Sequence, residues 1–465
     1  MYDAPVPAAA DEAELRRLET EYCSFGDTVH YMPDPKFFTG CDGSFMYDAQ
    51  GREFLDLQMW YSAVNFGYRN PRLNAVAHRQ LDTLPQVASQ YLHREKVELA
   101  ATIAKDAQAK FGHKGRVHFN VGGAQAVEDS LKIVRNACNG KSLMFAFEGG
   151  YHGRTLGASA ITSSYRYRRR YGHFGERAQF IEFPYHFRGP KGMSKEEYGE
   201  HCVAKFARLF ETEYNGVLDT KTGQAEYAAF YVEPIQGTGG YVIPPPNFFI
   251  ELKKVLDRYG ILLVVDEIQM GFFRTGKLWS IEHFGVQPDV LVFGKALTNG
   301  LNPLSGLWAR EELINPQVFP PGSTHSTFNS NPMGTSVGLE VMRMLAEGDY
   351  ETSVAEKGAY FLDGLRDLQS RWPNVGDVDG LGLALRAEIC EADGWTPAKA
   401  LLDQMAEEGM KADLEVDGRN YGLILDVGGY HKNVITLAPS LHISKDEIDL
   451  ALKLLDQLLW RCARA

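Results

Sequence analysis

From about residue 116 the chain alternates short, almost wholly apolar runs with longer stretches in which apolar residues recur every three or four positions. The runs are 117–121, 143–147, 180–183, 228–232, 261–265 and 290–293. Each has strand length and carries β-branched or aromatic residues. Continuous apolar runs, rather than strict alternation, predict strands buried on both faces, as in a parallel sheet covered by helices. One intervening helix is plain: Phe248, Phe249, Leu252, Val255, Leu256 and Tyr259 repeat on one face, and Gly260 stands where a helix should stop. The predicted class is α/β with a mostly parallel sheet.

The last hundred residues change pattern and read as a smaller α+β lobe. Its closing helix is announced by a capping box of Ser444 and Glu447, with Ile443 and Ile448 placed to form a hydrophobic staple. A hairpin-like stretch at 44–54 suggests that the leading ~75 residues join this lobe. The expected division is a large domain over 76–345 and a small domain built from 1–75 and 346–465. At 465 residues the chain is too long for one simple core, and it carries no internal repeat or low-complexity segment.

Composition narrows the class of function. A hydrophobic content of 44% with 12% aromatics belongs to a globular protein, and a net charge of −12 argues against a nucleic-acid or anionic-membrane partner. The one basic cluster, Arg166, Arg168, Arg169 and Arg170, reads as a local patch. Six scattered cysteines with no Cys-x-x-Cys pair point to reduced thiols and a cytoplasmic protein. The first 17 residues are acidic and lack the flank and apolar run of a signal peptide, and the apolar stretches are too short to cross a bilayer. No His or Cys set has metal-ligand spacing, so no metal is expected.

In open α/β sheets ligands bind beyond the carboxyl ends of the strands. At these ends, Val121 runs into Gly122-Gly123-Ala124 and a helix beginning at Gln125, an arrangement that serves as a phosphate cradle or simply as a turn. The run at 228–232 ends in Glu233-Pro234, that at 261–265 in Asp266-Glu267, and that at 290–293 in Gly294-Lys295. Any one of these could be a solvated strand end. Together, an amine, a carboxylate and an anion cradle suit pyridoxal 5′-phosphate (PLP). That cofactor needs an amine to form an imine, a carboxylate to keep its pyridine nitrogen protonated, and a phosphate site. Competing motifs are absent: there is no Gly-x-Ser-x-Gly elbow, and Gly237-Thr238-Gly239-Gly240 leads into Pro244-Pro245-Pro246 rather than a helix.

These residues resemble the class III PLP-dependent aminotransferases over about 35–459. The segments that carry the resemblance are Val121-Gly122-Gly123-Ala124-Gln125-Ala126-Val127-Glu128, Gly150-Tyr151-His152-Gly153-Arg154, Val232-Glu233-Pro234-Ile235-Gln236-Gly237, Val265-Asp266-Glu267-Ile268-Gln269, Phe293-Gly294-Lys295-Ala296 and Thr327-Phe328-Asn329-Ser330-Asn331-Pro332. The resemblance implies PLP-dependent transferase fold type I, the aspartate aminotransferase-like fold. It implies that Lys295 forms the Schiff base and moves the proton, and that Asp266 pairs with the pyridine nitrogen. Tyr151 would stack on one ring face and Ile268 on the other, with Gln269 at the ring hydroxyl. Gly123 and Ala124 would hold the phosphate, and His152 and Glu233 would belong to the cofactor site. Thr327 would reach the phosphate of a neighbouring subunit, which implies a homodimer.

For substrate, the resemblance makes Arg154 the carboxylate clamp of the ornithine and 4-aminobutyrate branches, although an arginine there also suits a surface or a domain junction. One departure stands out. Where relatives carry an arginine for the keto acid's α-carboxylate, this chain has Thr436, within Ile435-Thr436-Leu437-Ala438-Pro439. Asp426, Arg154 or an arginine of the 166–170 cluster are the candidates to compensate. Trp60 and Tyr61 fit either a substrate wall or core packing. The expected activity is ping-pong transfer of an amino group from an ω-amino acid, diamine or amine to 2-oxoglutarate or pyruvate. The same scaffold also serves epimerases, aminomutases and decarboxylases, and a silent binding protein would retain the fold. A nucleotide-binding α/β enzyme is the remaining rival.

Overall fold

The computed structural model describes residues 11–26, 35–168 and 178–463. Its centre is a seven-stranded sheet in the order Gly115–Asn120, Ser305–Arg310, Val290–Phe293, Leu262–Asp266, Tyr227–Val232, Leu143–Phe147, Gln179–Ile181. The four pairings from Val290–Phe293 to Gln179–Ile181 are parallel. The Ser305–Arg310 strand runs antiparallel to both of its neighbours. This strand, Ser-Gly-Leu-Trp-Ala-Arg, was not expected, because its small and polar residues break the apolar run that marks its neighbours.

The helices form where the pattern places them. Phe248–Tyr259 buries Phe248, Phe249, Leu252 and Leu256 and ends at Gly260, whose φ of 68° is the left-handed cap that glycine adopts without strain. At roughly 1.5–3 kcal/mol for each large apolar side chain removed from water, that face alone anchors the helix to the sheet. The Lys445–Cys462 helix starts at Ser444 with the full capping box. The Ser444 amide donates to Glu447 Oε2 at 2.6 Å, and the Glu447 amide donates to Ser444 Oγ at 3.1 Å. Ile443 and Ile448 are both fully buried.

Among the described residues the chain also forms a five-stranded, a four-stranded and a two-stranded sheet. The antiparallel strands Phe45–Asp48 and Glu53–Asp56 form the hairpin, and Glu53–Asp56 pairs in parallel with Arg419–Ile424. The leading and closing parts of the chain thus share one sheet. A four-stranded sheet runs Val375–Leu381, Ala384–Ile389, Val434–Leu437, Asp426–Gly428. Between Glu53–Asp56 and the large sheet the chain makes an unusual turn. Met59, Trp60, Tyr61 and Ser62 all have positive φ, from 44° to 64°. Left-handed backbone costs a side-chain-bearing residue about 1–2 kcal/mol, so this turn is held by its neighbours. The Asp56 carboxylate accepts from the Gln58 and Met59 amides. From the other side, the buried Arg274 guanidinium donates to Ser62 Oγ (2.9 Å), Asn65 Oδ1 (2.6 Å) and the Leu383 and Pro439 carbonyls.

All six cysteines are free. Among the described residues no helix is long and apolar enough to cross a membrane, and no His, Cys, Asp and Glu set is arranged for a metal ion. Of the basic cluster, Arg169 and Arg170 lie outside the described residues. Arg168 is buried, with its guanidinium over Phe180 and bonded to the Ser163 carbonyl.

Candidate active site

Register places the chemistry at one edge of the large sheet. Val232 pairs with Val265, so Glu233 and Asp266 follow side by side on neighbouring parallel strands. Asp266 pairs with Val292, and three residues further on the chain reaches Lys295. Lys295 has a φ of 45°, a left-handed conformation for a residue with a side chain. Strain of this kind, on the order of 1 kcal/mol, persists where the surroundings over-determine the backbone.

The Lys295 ammonium is deep, and burial lowers its pKa to about 8 against the pull of Asp266, Glu233 and Asp426, whose charges favour the protonated form. Asp266 is almost fully buried. Its Oδ1 accepts from the Ile268 amide at 3.0 Å and its Oδ2 bonds His152 Nδ1 at 2.9 Å. For His152, burial works against protonation, but the Asp266 bond and the charges of Asp266 and Glu233 outweigh it and raise the pKa. Its Nε2 is buried and has no hydrogen-bond partner among the described residues. Glu233 accepts from the Tyr151 amide (2.8 Å) and the Gly237 amide (2.9 Å), and burial pushes its carboxyl up to about 7.

The cradle lies on the other side of Ile268. Gly122 caps the Gly123–Ala137 helix, and the first amides of that helix, those of Gly123 and Ala124, have no acceptor within it. A Cβ on Gly123 would sit 2.8 Å from Ile268 Cδ1, so the helix start packs directly against that side chain and any larger residue there would push the isoleucine's tip aside. Gly294, just before Lys295, lies against the same isoleucine. Glu128, one helical turn on, accepts from the Gly157 and Ala158 amides and ties this helix to the segment that carries Arg154. Gly123, Ala124, Tyr151, Ile268, Gln269 and Lys295 all keep partial exposure, whereas Asp266, His152 and Glu233 behind them are buried. The partly exposed residues bring together an anion cradle and an amine, with a carboxylate directly behind them. This donor set fits PLP: Gly123 and Ala124 for its phosphate, Asp266 for its pyridine nitrogen, Lys295 for its aldehyde.

The remaining expected residues fall around this group in different ways. Gln269 donates to the Tyr241 hydroxyl at 3.0 Å. Arg154 stands at the exposed rim with its guanidinium over the Tyr167 ring at 4.6 Å, close to Tyr151. Trp60 is not drawn into the cluster: it is 56% exposed, and its ring lies against Gly300. Thr327 lies in an exposed turn ahead of the Pro332–Glu347 helix, away from this chain's Lys295 group.

Asp426 does not replace the missing arginine. Its carboxylate accepts from Thr436 Oγ1 (2.7 Å) and from Gln58 Nε2 (3.2 Å), so it is an acceptor where a carboxylate-binding donor was sought. Gln58 and Tyr241 were not anticipated at all. Both come from irregular segments, where no periodicity marks which side chain turns inward.

The comparisons with known proteins agree with this geometry. A family model described as "Aminotransferase class-III" matches residues 29–459. The chain is 30% identical over 437 residues to an ornithine aminotransferase of Brevibacillus brevis, covering 92% of this chain and 95% of that one. It is also 30% identical over 425 residues to an alanine/serine racemase of Pyrococcus horikoshii, covering 90% and 84%. A solved thermostable (S)-enantioselective omega-transaminase of Thermomicrobium roseum superposes with a TM-score of 0.86 at 26% identity, covering 98% of this chain and 100% of that chain. With a family match across nearly its whole length on a fold type I scaffold, the chain belongs to the class III aminotransferases, a family of PLP-dependent transaminases.

Proposed function

We propose that the enzyme moves an amino group from an ω-amino acid, a diamine or a simple amine to a small keto acid, 2-oxoglutarate or pyruvate, in two half-reactions. The observation that carries this reading is the charge around Lys295. Asp266, Glu233 and Asp426 all act on the charge of Lys295, and among the described residues Arg154 stands at the rim while Arg274 and Arg386 are bonded elsewhere. Among the described residues no arginine acts on the charge of Lys295, which favours donors whose handle lies away from the reacting carbon. The two relatives differ in activity, one an ornithine aminotransferase and the other an alanine/serine racemase, so donor chemistry is the point to test.

When bound, PLP withdraws electrons from the donor carbon whose bond is broken. Lys295 holds the cofactor and carries the proton at Nζ. With a pKa near 8, roughly one amine in ten is uncharged at neutral pH, enough to act as nucleophile and base. Asp266 keeps the ring nitrogen protonated, and His152 positions that carboxylate through its Nδ1. Gly123 and Ala124 bind the phosphate, Tyr151 and Ile268 enclose the ring, and Gln269 contacts its hydroxyl. Glu233 orients Tyr151 through the backbone bond at 2.8 Å. Arg154 binds a carboxylate arriving from the rim, and Trp60 forms the outer wall. Thr327, exposed on its turn, completes the phosphate site of a second copy, so the working unit is a homodimer. The catalytic centre belongs to a large domain at 76–345, closed by a small domain from 1–75 and 346–465. Free cysteines and net negative charge support a cytoplasmic enzyme.

The test is a spectroscopic half-reaction screen: purified holoenzyme mixed with single donors, watching the cofactor's visible band. Bleaching by ω-amino acids, diamines or amines is expected. Response to common α-amino acids alone would remove the proposal.

A further inference from the structure

The carboxylate of Asp426 has a setting that none of the roles above explains. It belongs to the strand Asp426–Gly428, directly opposite Thr436, which in turn lies opposite Arg386 across the four-stranded sheet. Directly opposed residues share a face, so Asp426, Thr436 and Arg386 form one row. The arginine of that row is occupied: Arg386 is buried, donates to Glu388 Oε2 at 2.6 Å and to the Tyr185 hydroxyl, and lies 3.6 Å from Asp377. Arg274, the other deep arginine nearby, is spent on carbonyl, amide and hydroxyl oxygens. Asp426 itself is held by two neutral donors, Thr436 Oγ1 and Gln58 Nε2, one on each oxygen.

Asp426 is half-buried, its side-chain hydrogen bonds come from neutral donors, and burial raises its carboxyl's pKa, so an approaching cation offsets the cost of its charge. Among the described residues, Lys295 and Lys432 are cations whose charge reaches Asp426. Lys295 is the amine that the cofactor engages, and Lys432 is itself disfavoured as an ammonium by burial and by Arg166. Asp426 nonetheless keeps partial exposure, as do Gln58 and Lys295, while Thr436 behind it is fully covered. The charge of Lys295 reaches Asp426 and both residues keep partial exposure, so the carboxylate is accessible near the lysine rather than sealed behind it.

We propose that Asp426 determines donor specificity by binding a second ammonium group, at the end of the donor remote from the amine that reacts. The donor class is then a diamine or diamino compound, and Thr436 and Gln58 act as positioning residues that aim the carboxylate. The Thr436 hydroxyl also makes the exchange chemically consistent: an arginine at 436 would neutralise Asp426 and abolish its use for a cation. This inference rests on the amine-donor reading above and sharpens it.

The experiment compares a linear diamine with the monoamine of the same carbon count, in wild type and in Asp426→Asn, an isosteric change that preserves the shape and one side-chain bond. Wild type is expected to prefer the diamine, and Asp426→Asn to lower the diamine-to-monoamine ratio of kcat/KM by about 10- to 100-fold, mostly through KM. Thermal unfolding and bound-cofactor absorbance should match wild type, and a fluorescence titration of the cofactor-free protein with the diamine should weaken in the variant. An unchanged ratio, or equal kcat/KM for the two donors in wild type, overturns the role of Asp426 while leaving amine transfer standing. Failure of wild type to turn over either donor while it accepts α-amino acids defeats the broader proposal instead.

Discussion

Asp266 and Glu267 are adjacent acids at the end of the same strand, yet the structure separates their tasks, and the difference is measurable as a pH effect on stability. Glu267 has no exposed surface, and its carboxylate accepts from Ser280 Oγ (2.7 Å) and the Ile281 amide (2.8 Å), with no cation beside it among the described residues. Burial pushes its carboxyl up to about 7, against the smaller downward pull of those two bonds. The folded state therefore holds the proton more tightly than the unfolded chain, whose carboxyl titrates near its ordinary value of about 4.3–4.5. The stability contribution is fully present below that value and is lost as pH rises through about 7. At 1.36 kcal/mol per pH unit, a gap of about 2.5 units amounts to ~3 kcal/mol lost above pH 8, of which about 2 kcal/mol disappears between about pH 5.5 and 8.5. Glu267→Gln copies the protonated acid in shape and in hydrogen bonding and does not titrate. With an unfolding entropy of ~2.1 cal/mol/K per residue, a chain of this length shifts by about 1 °C per kcal/mol. Differential scanning fluorimetry of cofactor-free protein should then show the variant gaining about 2 °C on wild type between those two pH values. A gap between the two proteins that does not move with pH would refute the reasoning.

Three further changes address the site and its frame. Lys295→Ala should abolish covalently held cofactor, read as loss of borohydride-fixed absorbance in protein that still unfolds cooperatively; an unchanged visible band counts against the lysine's role. Asp266→Asn removes the charge facing the ring nitrogen and forces His152 to offer a lone pair at Nδ1, so cofactor affinity should fall by about 100-fold or more, a loss on the order of 3–5 kcal/mol by equilibrium titration. Gly123→Ala places a methyl 2.8 Å from Ile268 Cδ1 and should weaken cofactor binding by about 10-fold with little change in melting temperature, because the crowding falls in the cavity wall. Equal affinity in that variant would mean the cradle is not where the phosphate rests.

Legibility in the sequence followed burial. The strands covered on both faces announced themselves, since a strand with no solvent-facing side has no reason to alternate, and their ends carried Glu233, Asp266 and Lys295 in plain view. The Ser305–Arg310 strand escaped because its residues are small where the sheet must sit close to Phe293 and to the His118 carbonyl; a Cβ on Gly306 would come within 2.6 Å of that carbonyl oxygen. The meeting of Gln58 with Asp426 was beyond reach, since 368 residues separate them and only the pairing of Glu53–Asp56 with Arg419–Ile424 brings them together. The pairing of His152 with Asp266 was hidden in the same way, across 114 residues. Motifs reveal which residues approach a ligand; the partners that tune them lie elsewhere along the chain.

The left-handed turn at Met59–Ser62 has a consequence for how the enzyme is assembled during folding. Its conformation is unfavourable in isolation, and the groups that hold it, Asp56, Arg274 and the Leu383 and Pro439 carbonyls that share Arg274, are far apart in the sequence. The turn can form only after all of them have met. A chain that has built its central sheet but not yet docked the segment around Pro439 would therefore lack this turn, so the site cannot be finished before that segment has been made.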